Sequence, residues 1–297
     1  YASEAARMTK RLALGTAQFG LVYGVANKDG KVDSREVAEL LLEASRLGVD
    51  TLDTAVAYGD SETVLGRIGV SKWNIVTKLP PLPQGCQDVD GRVFSEMRGS
   101  LQRLSVDHVD AVLLHRPNQL LTSEGVRLYQ SLQRLKAEGM TQKIGVSIYV
   151  PNELDVLFEY FDFDLVQAPL SILDRRLVDS GWLGRLHRCG VELHARSVFL
   201  QGLLLMPSSV RPVAFQRWLP IWLEWERWLA ENGLTPQQAC LRYIFSLPEV
   251  ARAVVGFDNV AQLRQIISSC TGALECLPNW PEHIDPNLLN PACWNQK

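Results

Sequence analysis

The chain has 297 residues, 46% of them hydrophobic, and a net charge of −3 from 30 basic and 33 acidic residues. That length can bury a large core, and the interspersed charges offer no basic block for nucleic acid and no acidic run for a solvated tail. No apolar stretch is long enough to span a membrane, the opening YASEAARMTKR holds no apolar run of the secretory kind, and the six cysteines contain no C-x-x-C pair, so we expect a cytoplasmic protein with free thiols and neither nucleic-acid nor membrane partners.

Short apolar runs alternate with longer amphipathic stretches along the chain. The first run is LALGTA (12–17), and residues 34–47 then pattern as a helix capped by Ser34 and closed at Gly48. TLDTA (51–55) precedes a short helix at about 61–68; NIVTKL (74–79) and DAVLLH (110–115) flank a helix at about 92–104. Helices at about 122–138 and 151–160 bracket KIGVSI (143–148), and LVQAPL (165–170) and VELHARS (191–197) follow. A long helical region, 214–246, precedes RAVVGF (252–257) and a last helix at about 259–268. Gly139, Gly190 and Gly233 stand where helices should stop.

Eight nearly continuous apolar runs suit parallel strands covered on both faces. The alternation predicts a (β/α)8 TIM barrel in one domain over 1–297, with its core at about 11–268. A doubly wound sheet is the alternative, but neither G-x-G-x-x-G nor a phosphate loop is present. Residues 277–297, with Pro278, Pro281, Pro286 and Pro291, cannot form one long helix and should lie as an extended tail over the surface or the barrel mouth.

Active sites of such barrels form at the C-terminal strand ends. Those ends carry Asp53, Lys78, His115, Ser147, Gln167 and Arg196–Ser197, with Tyr58 on the turn after the second run. A phenol with a pKa near 10 is a poor acid unless its anion is stabilised. A buried Lys78 would stabilise it, and Asp53 would keep Lys78 charged. No cysteine nucleophile, serine elbow or metal cluster accompanies this acid, which leaves hydride from a nicotinamide as the natural partner. The plainer reading of Asp53 and Lys78 is a structural ion pair, and of His115 a hydrogen-bonded strand end; convergence on neighbouring strands favours chemistry.

At this point GVDTLDTAVAYGDSE, IVTKLP, LLHRP and IGVS resemble, in order and spacing, the aldo-keto reductase superfamily, from about residue 11 to 268. The resemblance implies a barrel fold and NAD(P)H-dependent reduction of an aldehyde or ketone. By position it assigns a tetrad of Asp53, Tyr58, Lys78 and His115, with Tyr58 as proton donor and His115 orienting the substrate. For the cofactor it implies Ser147 and Gln167 at the nicotinamide, with Ile148 where the family has Asn. Arg196 stands in place of a stacking Tyr, and Ser197, Gln201 and Gly202 match the loop around the pyrophosphate. Gly256, Asp258, Asn259 and Arg264 would meet the adenosine half. Asp258 suits a free 2′-hydroxyl, while Arg264 could answer a 2′-phosphate; family habit points to NADP(H), with NAD(H) open. The N-terminal hairpin of many members is missing, which leaves the closure of the barrel bottom to be accounted for.

Gln18, Phe19 and Tyr23, in GTAQFGLVYG after the first run, are expected at the substrate, although the glycines there also suit a plain turn. Trp218, Trp222, Trp225 and Trp228 fall on one helical face and are read as core rather than as a substrate wall or dimer contact. Asp88 and Asp90 look like half a calcium loop without its later acidic ligand and are read as solvated. The loop LALGTAQFGLVYGVANKDG resembles versions from bacterial carbohydrate biosynthesis, which implies a small, sugar-like carbonyl compound as partner; the chain is expected as a monomer or weak homo-oligomer. A nucleotide-binding regulatory barrel with little turnover, and an aldolase using Lys78 as a Schiff-base amine, are the competing functions.

Overall fold

Every apolar run becomes a strand in the computed structural model, which describes residues 4–22 and 30–294. In chain order these are β1 (Leu12–Gly15), β2 (Thr51–Asp53), β3 (Asn74–Leu79) and β4 (Val109–Leu114). β5 (Thr141–Ser147), β6 (Leu165–Pro169), β7 (Glu192–Arg196) and β8 (Val250–Gly256) complete the set. Each pairs in parallel with the next, and β8 returns to β1, so the sheet closes without an edge. The register brings Gly15 level with Asp53 and with Gly256, and Ser147 level with Gln167. Side chains two apart share a face, so Val76 and Lys78, or Leu165 and Gln167, point the same way. Val76, Ala111, Leu113 and Leu165 form a small apolar cluster of their own, below the polar residues of the strand ends. The larger core lies between strands and helices.

Thirteen α-helices occur among the described residues. The first five are α1 (Glu4–Thr9), α2 (Ala17–Gly20), α3 (Ser34–Arg46), α4 (Ser61–Ile68) and α5 (Val89–Leu104). They are followed by α6 (Gly125–Ala137), α7 (Glu153–Tyr160), α8 (Arg176–Asp179) and α9 (Trp182–Arg188). The last four are α10 (Leu219–Asn232), α11 (Pro236–Ser246), α12 (Val260–Ser269) and α13 (Pro286–Leu289). α5 begins earlier than its periodicity suggested because the Asp88 carboxylate accepts from the Gly91 N–H at 2.9 Å, an N-cap. Asp88 and Asp90 are solvated as expected, but they start a helix rather than stand in a loop; Asp90 sits in the first turn, paired with Arg134. The region 214–246 is not one helix. Gly233 takes φ 61, and Thr235 with Gln238 forms a capping box that starts α11.

All four tryptophans of the stripe are buried, and Trp225 stacks on Trp228 with centroids 5.7 Å apart. The indole N–H groups of Trp218, Trp222 and Trp225 donate to Asp285 and to the carbonyls of Phe215 and Leu204. None of the four lines the central cavity, so the stripe is core.

Among the described residues a short helix, α1, precedes β1 and packs beside α12. The Arg11 guanidinium then donates to the carbonyls of Phe245, Leu247 and Val250, fastening β1 to the chain entering β8. The lower rungs of the barrel carry an ionic net: Lys143 lies 2.8 Å from Glu192 and 3.2 Å from Asp110, and Glu192 lies 2.8 Å from His194. His194 and Lys143 hold the Glu192 carboxyl down at about 2. Tethers and charge pairs thus hold this end of the barrel together. No helix among the described residues is long and apolar enough to cross a membrane, and all six cysteines are free.

Candidate active site

β2 ends on Asp53 and β3 delivers Lys78 beside it, both almost wholly buried. The ammonium of Lys78 lies 2.5 and 2.8 Å from the two Asp53 oxygens and donates to the Thr54 carbonyl at 3.0 Å. The carboxamide of Gln167, from β6, donates to the second Asp53 oxygen at 2.7 Å. A charge pair this deep persists only when its remaining hydrogen-bonding capacity is met, and here β6 helps to meet it.

Tyr58 lies above this pair. Its turn is fixed at both ends: the Tyr58 N–H donates to the Ala55 carbonyl, and the Ser61 N–H donates to the Tyr58 carbonyl, opening α4. The Ser61 hydroxyl ties the same turn to the Thr16 carbonyl at 3.0 Å. Gly59, at φ 59, and Gly20 allow α2 to press directly on this turn; a methyl group at Gly20 would fall 1.7 Å from the Tyr58 carbonyl oxygen. Gly20→Ala should therefore move the Tyr58 turn. A loss of turnover accompanied by a lowered melting temperature is expected, and a fully active, equally stable variant would show that the contact is not tight.

The Lys78 ammonium sits 5.1 Å from the Tyr58 ring centre, and the His115 ring meets Tyr58 edge-on with centroids 6.0 Å apart. Burial, and then the Asp53 carboxylate, raise the Tyr58 phenol above its ordinary value, with Arg196 pulling the other way. The free protein thus holds Tyr58 protonated, the form a proton donor needs. Burial and the Lys78 charge lower His115 to about 4, so its imidazole is neutral across physiological pH. A neutral ring can present an N–H to an oxygen without adding a charge.

A cavity of about 860 Å³ opens over these residues and runs past Ser147 and Gln167 to Asp258, Gln262 and Gln265. That volume lies within the usual range of small-molecule and cofactor sites, about 300–1,000 Å³. Its polar floor holds Ser147, Gln167, Arg196, Ser197, Gln201, Gly202 and Gly256. The loop after β7 is bent to fit: Ser197, Leu200 and Gln201 have φ of 57, 49 and 52°, and Gly202 has 88°. Side-chain-bearing residues adopt such angles at a cost of about 1–3 kcal/mol each, and such conformations cluster at ligand sites. At the far end one Asp258 oxygen is buried without a partner, while the other takes the Gln262 carboxamide at 3.2 Å.

Several expected contacts fall elsewhere. Gln18 lines the cavity, its carboxamide lying over Gly256, but Phe19 turns into the core and is fully buried. Tyr23 lies outside the described residues. Asn259 caps α12 by accepting from the Gln262 N–H at 2.9 Å, and Arg264 pairs with Glu43 of α3 at 2.8 Å; neither lines the cavity. Arg196 reaches back across the mouth, donating to the Ile148 carbonyl at 2.8 Å and lying 4.9 Å from the Tyr149 ring centre.

Tyr149, two residues beyond the end of β5 and so outside the strand-end pattern, also lines the cavity. So do Arg176, held by Asp174, and the tail residues Leu289, Asn290, Pro291 and Ala292. The tail was expected near the mouth; its contribution to the wall follows from Leu288 and Leu289 anchoring α13 in the core.

The aldo/keto reductase family model matches residues 11–275. The chain belongs to that family. It is 27% identical to the NADH-specific methylglyoxal reductase of Escherichia coli, with 94% of this chain and 88% of that protein covered. L-galactose dehydrogenase of Arabidopsis thaliana is 25% identical, over 88% of this chain and 84% of its own length. An aldo-keto reductase from Bacillus halodurans, solved in its holo form, superposes with a TM-score of 0.69 at 20% identity, covering 89% of this chain and 88% of its own, which establishes likeness of fold. The chain is thus an oxidoreductase of a family that uses nicotinamide cofactors, built as a (β/α)8 barrel.

Proposed function

We propose that this reductase converts an aldehyde or ketone to an alcohol with NAD(H), Tyr58 giving the proton to the carbonyl oxygen. The observation that carries the reading is the buried Asp53–Lys78 pair beneath a protonated Tyr58 and a neutral His115, with Asp53, Tyr58 and His115 lining one end of the long cavity. His115 would present its N–H to the carbonyl oxygen and aim it at the phenol. Lys78 would stabilise the phenolate left after transfer, and Asp53 with Gln167 would hold Lys78 in place. A bound nicotinamide supplies hydride to the carbonyl carbon, which completes a two-electron reduction.

The residues present fit such a cofactor. Ser147 and the free oxygen of the Gln167 carboxamide would meet the nicotinamide amide, and the bent loop through Ser197, Gln201 and Gly202 would wrap the pyrophosphate. The choice between the two nicotinamide cofactors turns on Asp258. An unpaired carboxylate oxygen accepts a ribose 2′-hydroxyl and repels a 2′-phosphate, and the one basic residue expected to compensate, Arg264, is engaged by Glu43. The methylglyoxal reductase likeness runs in the same direction and supports NAD(H) over NADP(H).

Quenching of the tryptophans should show NADH binding at least about tenfold more tightly than NADPH, about 1.4 kcal/mol, and Asp258→Ser should narrow the gap. Aldehyde-dependent oxidation of NADH then tests the reaction. Absence of binding by both nucleotides would end the reductase reading, and preference for NADPH would end the assignment of Asp258.

A further inference from the structure

The catalytic end of the cavity is more positive than the reaction described above requires. Lys78 is neutralised by Asp53, and Arg176, also on the wall, by Asp174 through paired contacts of 2.7 Å. Two further guanidinium groups have no carboxylate among the described residues. Arg196, on the cavity wall, lies 4.9 Å from the Tyr149 ring centre, and Arg116, exposed just outside the cavity after His115, lies 5.1 Å from the same ring. Both charges reach the chemistry, since each helps to hold His115 deprotonated, and Arg196 favours ionisation of Tyr58. Arg196 spends two donors on the Ile148 carbonyl and the Ser197 hydroxyl; a guanidinium has five, so others remain for a ligand. Asp258, an acid of the cavity wall with no cationic partner among the described residues, stands at the opposite end. The cavity is therefore polarised along its length, positive at the reacting carbonyl and negative towards α12.

Arg196 on the cavity wall and the exposed Arg116 beside it flank one aromatic ring without counter-charges, an arrangement that would draw an anion to that ring. From this geometry we infer that the substrate is an anionic carbonyl compound, carrying a carboxylate or phosphate that binds at Tyr149 between Arg116 and Arg196. The inference rests on the reductase reading and names its substrate class. A planar fork of N–H donors recognises either anion in the same way, so carboxylate and phosphate share the site's chemistry. Tyr149 adds a hydroxyl and a ring edge, and its backbone is fixed by the Glu153 carboxylate, which accepts from the Tyr149 and Val150 N–H groups at 2.7 and 2.9 Å.

The test is calorimetric titration of the NADH-loaded protein with matched alcohols that differ in charge: 4-hydroxybutyrate against butane-1,4-diol, and glycerol 3-phosphate against glycerol. The charged member of at least one pair should bind by about tenfold or more over its neutral partner, weaken with added salt, and lose that advantage in Arg116→Met and Arg196→Met. An advantage confined to one pair assigns carboxylate or phosphate. Equal binding of charged and neutral ligands, or an advantage that survives in both variants, overturns the inference. Arg116 is exposed, so its variant should fold, with melting temperature as the control. Should NADH fail to bind, the reductase reading falls, and the same titrations on the free protein still decide whether the arginines hold an anion. Faster reduction of succinate semialdehyde than of butanal is the matching kinetic result; turnover of both at equal efficiency would sink the substrate class and leave the reductase standing.

Discussion

Tyr58→Phe should lower kcat/KM for carbonyl reduction by about 10²- to 10⁴-fold, the range over which a positioned acid contributes, while NADH affinity stays within about twofold. The substitution removes one oxygen and leaves the ring, so the edge-on contact with His115 and the position above Lys78 persist. The turn that carries the phenol is held by backbone bonds to Ala55 and Ser61, not by its hydroxyl, so the substitution should leave that turn in place. Binding and chemistry therefore separate cleanly in this variant. Single-turnover reduction with NADH prebound should slow to the same extent as kcat, because the proton is needed in the transition state rather than on association. Wild-type turnover in Tyr58→Phe would transfer the donor role elsewhere, and the neutral His115 would be the next group to examine.

Much of the fold was legible because its strands are covered on both faces and read as unbroken apolar runs. Helices with one wet face were legible for the complementary reason, and α3 ends within one residue of its expected limit. What escaped notice depends on single capping contacts: Asp88 advancing α5, or Gly233 and Thr235 dividing α10 from α11. The short helices α8 and α9, between β6 and β7, offer too few turns to establish a period. At the site, the strand-end rule gathered Asp53, Lys78, His115, Ser147 and Gln167, because period-two alternation determines which side chains face the barrel interior. It fails as soon as the chain leaves the strand. In α2, Gln18 faces the mouth and Phe19 the core; in α12, Gln265 lines the cavity while its neighbour Arg264 pairs with Glu43. One residue along a helix turns a side chain by about 100°, and loop sequence alone does not set that phase. Tyr149 was missed for the same reason, since its placement depends on Glu153 gripping the backbone after β5.

Removing the charge beneath Tyr58 should have the largest effect on stability. Lys78→Met leaves the Asp53 carboxylate buried with the Gln167 carboxamide as its remaining side-chain donor, and breaking such a pair from one side costs about 3–5 kcal/mol. Urea unfolding should show that loss as a lower midpoint at an unchanged slope. Asp53→Asn in the same chain removes the stranded charge, so the double variant should recover most of the stability. Activity should follow a different course. With the ammonium beneath the phenolate gone, Lys78→Met should reduce a carbonyl poorly, and the double variant no better, although it is again well folded. That divergence is the discriminating result. A pair serving only to hold the barrel together would restore turnover when stability returns, whereas a pair that tunes Tyr58 leaves a stable barrel without its acid. A stability loss below about 1 kcal/mol in Lys78→Met would instead mean that water reaches Asp53 and that the pair is not desolvated at all.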